Sequence, residues 1–89
     1  MRQFQAHIYI QPKDGILDPQ GKAVHHALST LGLDDVDDVR VGKFIIMMVS
    51  ATDEVAARET VTKAGAKLLA NPVIEDFRFD LFASEGGEK

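Results

Sequence analysis

Eighty-nine residues make one domain, close to the lower size at which a core holds without staples. No cysteine is present, which excludes disulfides, thiolate metal sites and a cysteine nucleophile, and fits a reducing cytoplasm. Ten basic against fourteen acidic residues leave a formal net charge of −4, so the basic face that nucleic-acid binding needs is not expected. The longest apolar run, residues 44–49, is far too short to span a bilayer, and the first residues have no signal-peptide profile.

The first predicted element is a half-buried strand. Phe4, Ala6, Ile8 and Ile10 alternate with Gln3, Gln5, His7 and Tyr9. Residues 11–16, with Pro12 and an Asp14-Gly15 pair, read as a loop. A helix follows. Asp18 is its N-cap, because the carboxylate accepts from orphan N–H groups of the first turn, and Pro19 suits the first helical position. Val24, Ala27, Leu28 and Leu31 form one apolar face, and Gly32 is placed to end the helix as a left-handed cap with Leu33 packing back. Gly21 is a costly residue inside a helix, by roughly 1 kcal/mol against Ala. It is either indifferent or marks a close approach to the backbone.

Residues 36–41 read as a second strand, with Val39 and Val41 opposite Asp38 and Arg40. Gly42-Lys43 has the look of a tight turn or bulge leading into the apolar run 44–49. A second helix opens near Thr52 or Asp53, buries Ala57, Val61, Ala64, Gly65 and Leu68, and stops at Asn71-Pro72, where Asn71 suits a left-handed cap. The last strand, residues 73–82, sets Phe77, Phe79 and Leu81 against Asp76, Arg78 and Asp80.

The order β-α-β-β-α-β predicts an α+β, ferredoxin-like two-layer sandwich: a four-stranded, mainly antiparallel sheet with two helices on one face. One domain is expected over residues 1–83, with a polar, glycine-rich and disordered tail over 84–89. The run 44–49 does not alternate as a strand with one wet face should. With Phe44, Ile46 and Met48 turned to the helices, Ile45, Met47 and Val49 are left on the open side, a patch that predicts self-association.

Little catalytic chemistry is legible. His25 and His26 are consecutive on a helix and point about 100° apart, so they cannot chelate one ion together. The acidic residues Asp34, Asp35, Asp37 and Asp38 lack EF-hand spacing and read as a solvated turn. No phosphate-binding glycine motif and no Ser-His-Asp arrangement stand out.

Three blocks nevertheless carry more letters than local structure needs: Leu17-Asp18-Pro19-Gln20-Gly21 with Ala27-Leu28, then Val39-Arg40-Val41-Gly42-Lys43, then Leu68-Leu69-Ala70-Asn71-Pro72-Val73-Ile74-Glu75. In order, spacing and letters they resemble the PurS family, the small subunit of phosphoribosylformylglycinamidine (FGAM) synthase. The resemblance implies a non-catalytic member of a ligase complex in purine biosynthesis, in the cytoplasm. A glutaminase subunit would release ammonia, and a synthetase subunit would use ATP and Mg to convert formylglycinamide ribonucleotide (FGAR) to FGAM. This chain would join the two and assist ammonia transfer, binding no cofactor alone and having no independent activity. It also implies a homo-oligomer, dimer or tetramer.

Under that reading Asp18, Gln20, Gly21, Arg40, Gly42, Lys43, Asn71 and Glu75 are the expected partner contacts, and Ile45, Met47 and Val49 the self-association set. Asp18, Gly42 and Asn71 have equally good local uses as cap, turn and cap. The Gln20-Gly21 pair reads as a surface kept open for another subunit. A ligand-sensing regulatory domain is the rival reading, since the same architecture often supports one.

Overall fold

Phe4, Ala6, Ile8 and Ile10 are all buried along the inner face of β1 (Arg2–Pro12), as their alternation requires. The computed structural model describes residues 1–84. β1 is the central strand of an antiparallel sheet, flanked by β2 (Lys43–Ala51) and β3 (Glu75–Ala83) in the order β2-β1-β3. α1 (Pro19–Thr30) lies between β1 and β2 in the chain. α2 (Glu54–Ala64), prolonged by a π-helical turn (Gly65–Leu69), links β2 to β3. Among the described residues this α+β arrangement has three strands, not the four expected.

The missing strand has a physical reason. Folding residues 36–41 back on β2 needs a reversal at Gly42-Lys43, and the favoured two-residue turns place positive φ at the first central residue. Among the described residues only Gly15 and Gly32 have positive φ, and Lys43 already pairs with Ile10 inside β2. Gly42 serves a different need. A side chain there would collide with the Ile10 carbonyl, so the glycine lets the chain cross β1 closely as it enters β2. Residues 36–41 therefore run beside α1 and join no strand.

The face expected of β2 is also reversed. The register pairs Phe4 with Val49, Ala6 with Met47 and Ile8 with Ile45, so these three β2 residues share the inner side of β1. Val49 is buried and Ile45 and Met47 pack against the core, whereas Phe44 and Ile46 are 53% and 55% exposed on the open face. An apolar run carries no sign of which parity faces inward; the partner strand sets it.

α2 supplies Ala57 and Val61 to the core and is capped by Asp53, whose carboxylate accepts from the Ala56 N–H at 2.9 Å. Its apolar phase changes in the π-helical turn. The Ala70 N–H donates to the Gly65 carbonyl, five residues back, and the extra residue rotates Leu69 onto the core while Leu68 is 80% exposed. Leu68 was expected on the buried face and is not there. α1 ends as anticipated, with Gly32 at φ +86 and a paired set of bonds, Leu33 N–H to Leu28 carbonyl and Gly32 N–H to Ser29 carbonyl. α1 packs at most lightly on the sheet and on α2, so among the described residues it is α2 and its π-helical turn that cover the inner face. Of the expected tail, Ser84 donates its N–H to the Gln3 carbonyl, and residues 85–89 lie outside the described residues.

Candidate partner interface at the loop end of the sheet

Because β1 is antiparallel to both neighbours, its C-terminal end meets the beginnings of β2 and β3. Ile10 pairs with Lys43 and Pro12 with Glu75. Blocks far apart in sequence are thereby gathered at one end of the sheet, and α1 starts from the same place.

Asp18 organises the first part of this end. Its Oδ1 accepts from the Gly21 N–H at 3.0 Å, capping α1, and its Oδ2 accepts from the Val41 N–H at 2.9 Å. The bond from Val41 and then that from Gly21 hold the carboxyl below its ordinary value, against partial desolvation and with help from the Arg40 charge. Gly21 is buried because the Val39 carbonyl sits where a side chain would be. The close approach that a glycine signals here is made by this chain's own 36–41 segment.

Arg40 fastens that segment to the loop after β1. Its guanidinium donates to Asp14 Oδ1 at 2.6 Å and to the Pro12 carbonyl. His25 secures the other end by donating from Nε2 to the Val36 carbonyl at 2.8 Å. An acceptor-only carbonyl requires that nitrogen to carry the proton. Sequence reasoning left His25 without this task, since the contact spans a loop whose path was not legible.

The second part lies across the end of β1. Lys43 Nζ is 4.0 Å from Glu75 Oε2, and Glu75 Oε1 accepts from the Asn71 N–H at 2.7 Å. Asn71 Oδ1 accepts from the Val73 N–H at 3.0 Å, a side-chain-closed turn. Asn71 does not take the left-handed conformation expected of it, since no described non-glycine residue has positive φ. Lys13 and Asp76 add a 3.1 Å pair that sequence reasoning did not find. Gln20 is exposed on the first turn of α1, and its backbone N–H adds slightly to the stabilisation of the Asp18 carboxylate.

The structure thus brings Asp18, Gly21 and Arg40 into one latch and Lys43, Asn71 and Glu75 into an adjoining polar cluster, with Gly42 against the Ile10 carbonyl between them. Such an end offers a shaped surface with both signs of charge. Among the described residues no three His, Cys, Asp or Glu side chains group as metal ligands. No helix of the described residues is long and apolar enough to cross a membrane.

On the open face, Tyr9 stacks on Phe44 with centroids 5.2 Å apart, and the His7 ring meets the edges of Phe44 and Phe82. The Arg78 guanidinium lies 4.1 Å from the Tyr9 centroid. These residues, with Ile46 and Met48, form the apolar patch that the sequence placed on the opposite parity.

The family model described as PurS, phosphoribosylformylglycinamidine (FGAM) synthase, matches residues 5–83. The chain belongs to the PurS family. It is 40% identical over 83 residues to the phosphoribosylformylglycinamidine synthase subunit PurS of Synechocystis sp., covering 93% of this chain and 83% of that one. Its identity to the PurS subunit of Bacillus subtilis is 38% over 81 residues, covering 88% and 92%. Among solved structures, PurS of Thermus thermophilus superposes with a TM-score of 0.78 at 44% identity, covering 89% of this chain and 94% of that one. A chain in the structure of PurLQS from Thermotoga maritima gives 0.83 at 32% identity, covering 92% and 100%. The PurS likeness therefore extends over both halves of the loop end, from the α1 cap to Glu75.

Proposed function

We propose that this chain is the non-catalytic small subunit of FGAM synthase, holding a glutaminase and a synthetase subunit together while ammonia passes between them. The observation that carries the reading is the gathering of Asp18, Arg40, Lys43, Asn71 and Glu75 at one end of a PurS-family fold. The chemistry gives such a subunit a purpose. Ammonia attacks only as the free base, and bulk water would convert it to ammonium. A piece that seals the junction against water protects the nucleophile without reacting itself.

In this reading the partner synthetase holds ATP and Mg, this chain holds no cofactor of its own, and the complex works in the cytoplasm as a higher assembly containing more than one copy of the chain. Gln20, Arg40 and Lys43 are the contact residues best placed to meet the larger subunits, with Asp18, Gly21, Gly42, Asn71 and Glu75 shaping the surface around them. Support comes from the family match and from a relative found in a structure of PurLQS.

Reconstitution tests it. Glutaminase and synthetase subunits are assayed for glutamine-dependent FGAM formation with and without this chain. A strong dependence on the chain is expected, with no glutaminase or ATPase activity from the chain by itself. Full activity of the other two subunits without it would overturn the reading.

A further inference from the structure

We propose that the open face of the sheet is a second partner surface, which takes an arginine from an apolar segment of one of the two larger subunits. The inference rests on the functional reading above and extends it. A subunit that holds two partners needs two separate surfaces. The loop end is one of them, and the sheet face turned away from α2 is the other.

The register sets the composition of this face. Around His7 and Tyr9 of β1 stand Phe44, Ile46 and Met48 from β2 and Phe82 from β3. The last four are large apolar side chains left exposed. A contiguous patch of this kind on a small domain marks an interface.

The charges on the face say what covers it. Three charged side chains of β3 stand on the open side, at alternate positions. Asp76 is paired with Lys13 at 3.1 Å. Arg78 lies over Tyr9, 4.1 Å from the ring centroid. Asp80, in register with His7, has neither a hydrogen bond nor an ion pair among the described residues. An apolar surface laid over the patch would bury that carboxylate unpaired, at a cost no apolar contact repays. The covering segment must therefore bring a positive charge to Asp80.

The rings beside Asp80 select a guanidinium over an ammonium. Phe82 and Phe44 flank His7 at centroid distances of 4.9 and 5.4 Å. A planar, weakly hydrated guanidinium can stack on a ring while it forms a two-pronged bond to a carboxylate, which a compact ammonium cannot do. Arg78 on Tyr9 already shows the stacking half of that geometry within the chain. Other occupants fit less well. Single-stranded nucleic acid also seeks exposed rings, but its phosphates would meet Asp76 and Asp80 on a chain of net charge −4. A second copy laid on the same face would bring another unpaired Asp80 and an Arg78 already used on its own Tyr9.

The test uses the full chain with purified glutaminase and synthetase subunits. Tyr9 is the single tyrosine of the chain, so its nitration, read from the mass of this subunit, reports on the face. Nitration is expected to be at least fivefold slower in the assembled complex than in the chain alone. Asp80→Lys should weaken association with one of the larger subunits at least tenfold in sedimentation, and Asp80→Glu should keep it within twofold. A photo-crosslinking residue in place of Ile46 should capture an arginine-containing peptide of that same subunit. Tyr9 nitrated as fast in the complex as in the free chain would overturn the proposal. So would normal assembly of Asp80→Lys, or a Tyr9 already as protected in the isolated chain as in the complex, the sign of a second copy. Each of these outcomes leaves the functional reading standing, whereas wild-type subunits that do not assemble at all would remove both. Should Asp80→Lys melt below the wild type, Asp80→Asn decides, with a severalfold loss of association expected from removal of the charge alone.

Discussion

The Asp18 carboxylate joins the start of α1 to the Val41 backbone N–H, 23 positions further along the chain, at 2.9 Å. One side chain thereby does two tasks: it caps a helix and fixes the segment that leads into β2. The position of that segment decides which surfaces this member of the PurS family presents.

The bond has a pH signature. A carboxylate held below its ordinary value of 3.8 contributes stability that is fully present above that pH, and loses it as pH falls through the lowered folded value. Asp18→Asn keeps a capping oxygen but faces Val41 with an amide donor. Its melting temperature is expected to lie below that of the wild type near neutral pH. The gap should close as both are titrated to strong acid. A gap that stayed constant through the acid range would show that the charge of Asp18 has no part in the latch.

Gly21→Ala should destabilise, although alanine is the better helix former by roughly 1 kcal/mol. The added methyl meets the Val39 carbonyl, and overpacking of a tight site costs about 1–3 kcal/mol. Faster hydrogen exchange at the Val41 amide should accompany the lower melting temperature. A raised melting temperature would mean that the segment moves aside freely.

Leu68 and Leu69 are adjacent and chemically identical, so they isolate the phase shift of the π-helical turn. Leu69→Ala should cost about 1–2 kcal/mol in chemical denaturation, because the side chain packs on the core. Leu68→Ala should stay within about 0.5 kcal/mol. Equal losses would place the helix phase wrongly.

Lys43→Ala separates assembly from stability. Its Nζ is exposed and stands 4.0 Å from the half-buried Glu75 carboxylate, too far for a close ion pair, and so long a contact contributes about 0–1 kcal/mol. The melting temperature is therefore expected to move little, while glutamine-dependent FGAM formation in the reconstituted enzyme falls severalfold. Gln20→Ala should behave in the same way. Unchanged activity in both variants would remove these residues from the partner surface.

The amino-acid sequence by itself determined what depends on neighbours within a few positions. The Asp18 and Asp53 caps, the Gly32 helix end, the buried alternation of β1 and the inward set Phe77, Phe79 and Leu81 all follow from hydrogen bonding and periodicity over one or two turns. The letters of three separated blocks also carried the family. Only the tertiary structure decided which parity of β2 faces inward, since both sets are apolar and the choice belongs to the register with β1. It alone decided that 36–41 runs along α1 instead of pairing with β2, because the backbone at Gly42 does not reverse. And it alone explained Gly21, through a carbonyl supplied from eighteen residues away: local rules foresee that something approaches a glycine, but the identity of what approaches is a long-range fact.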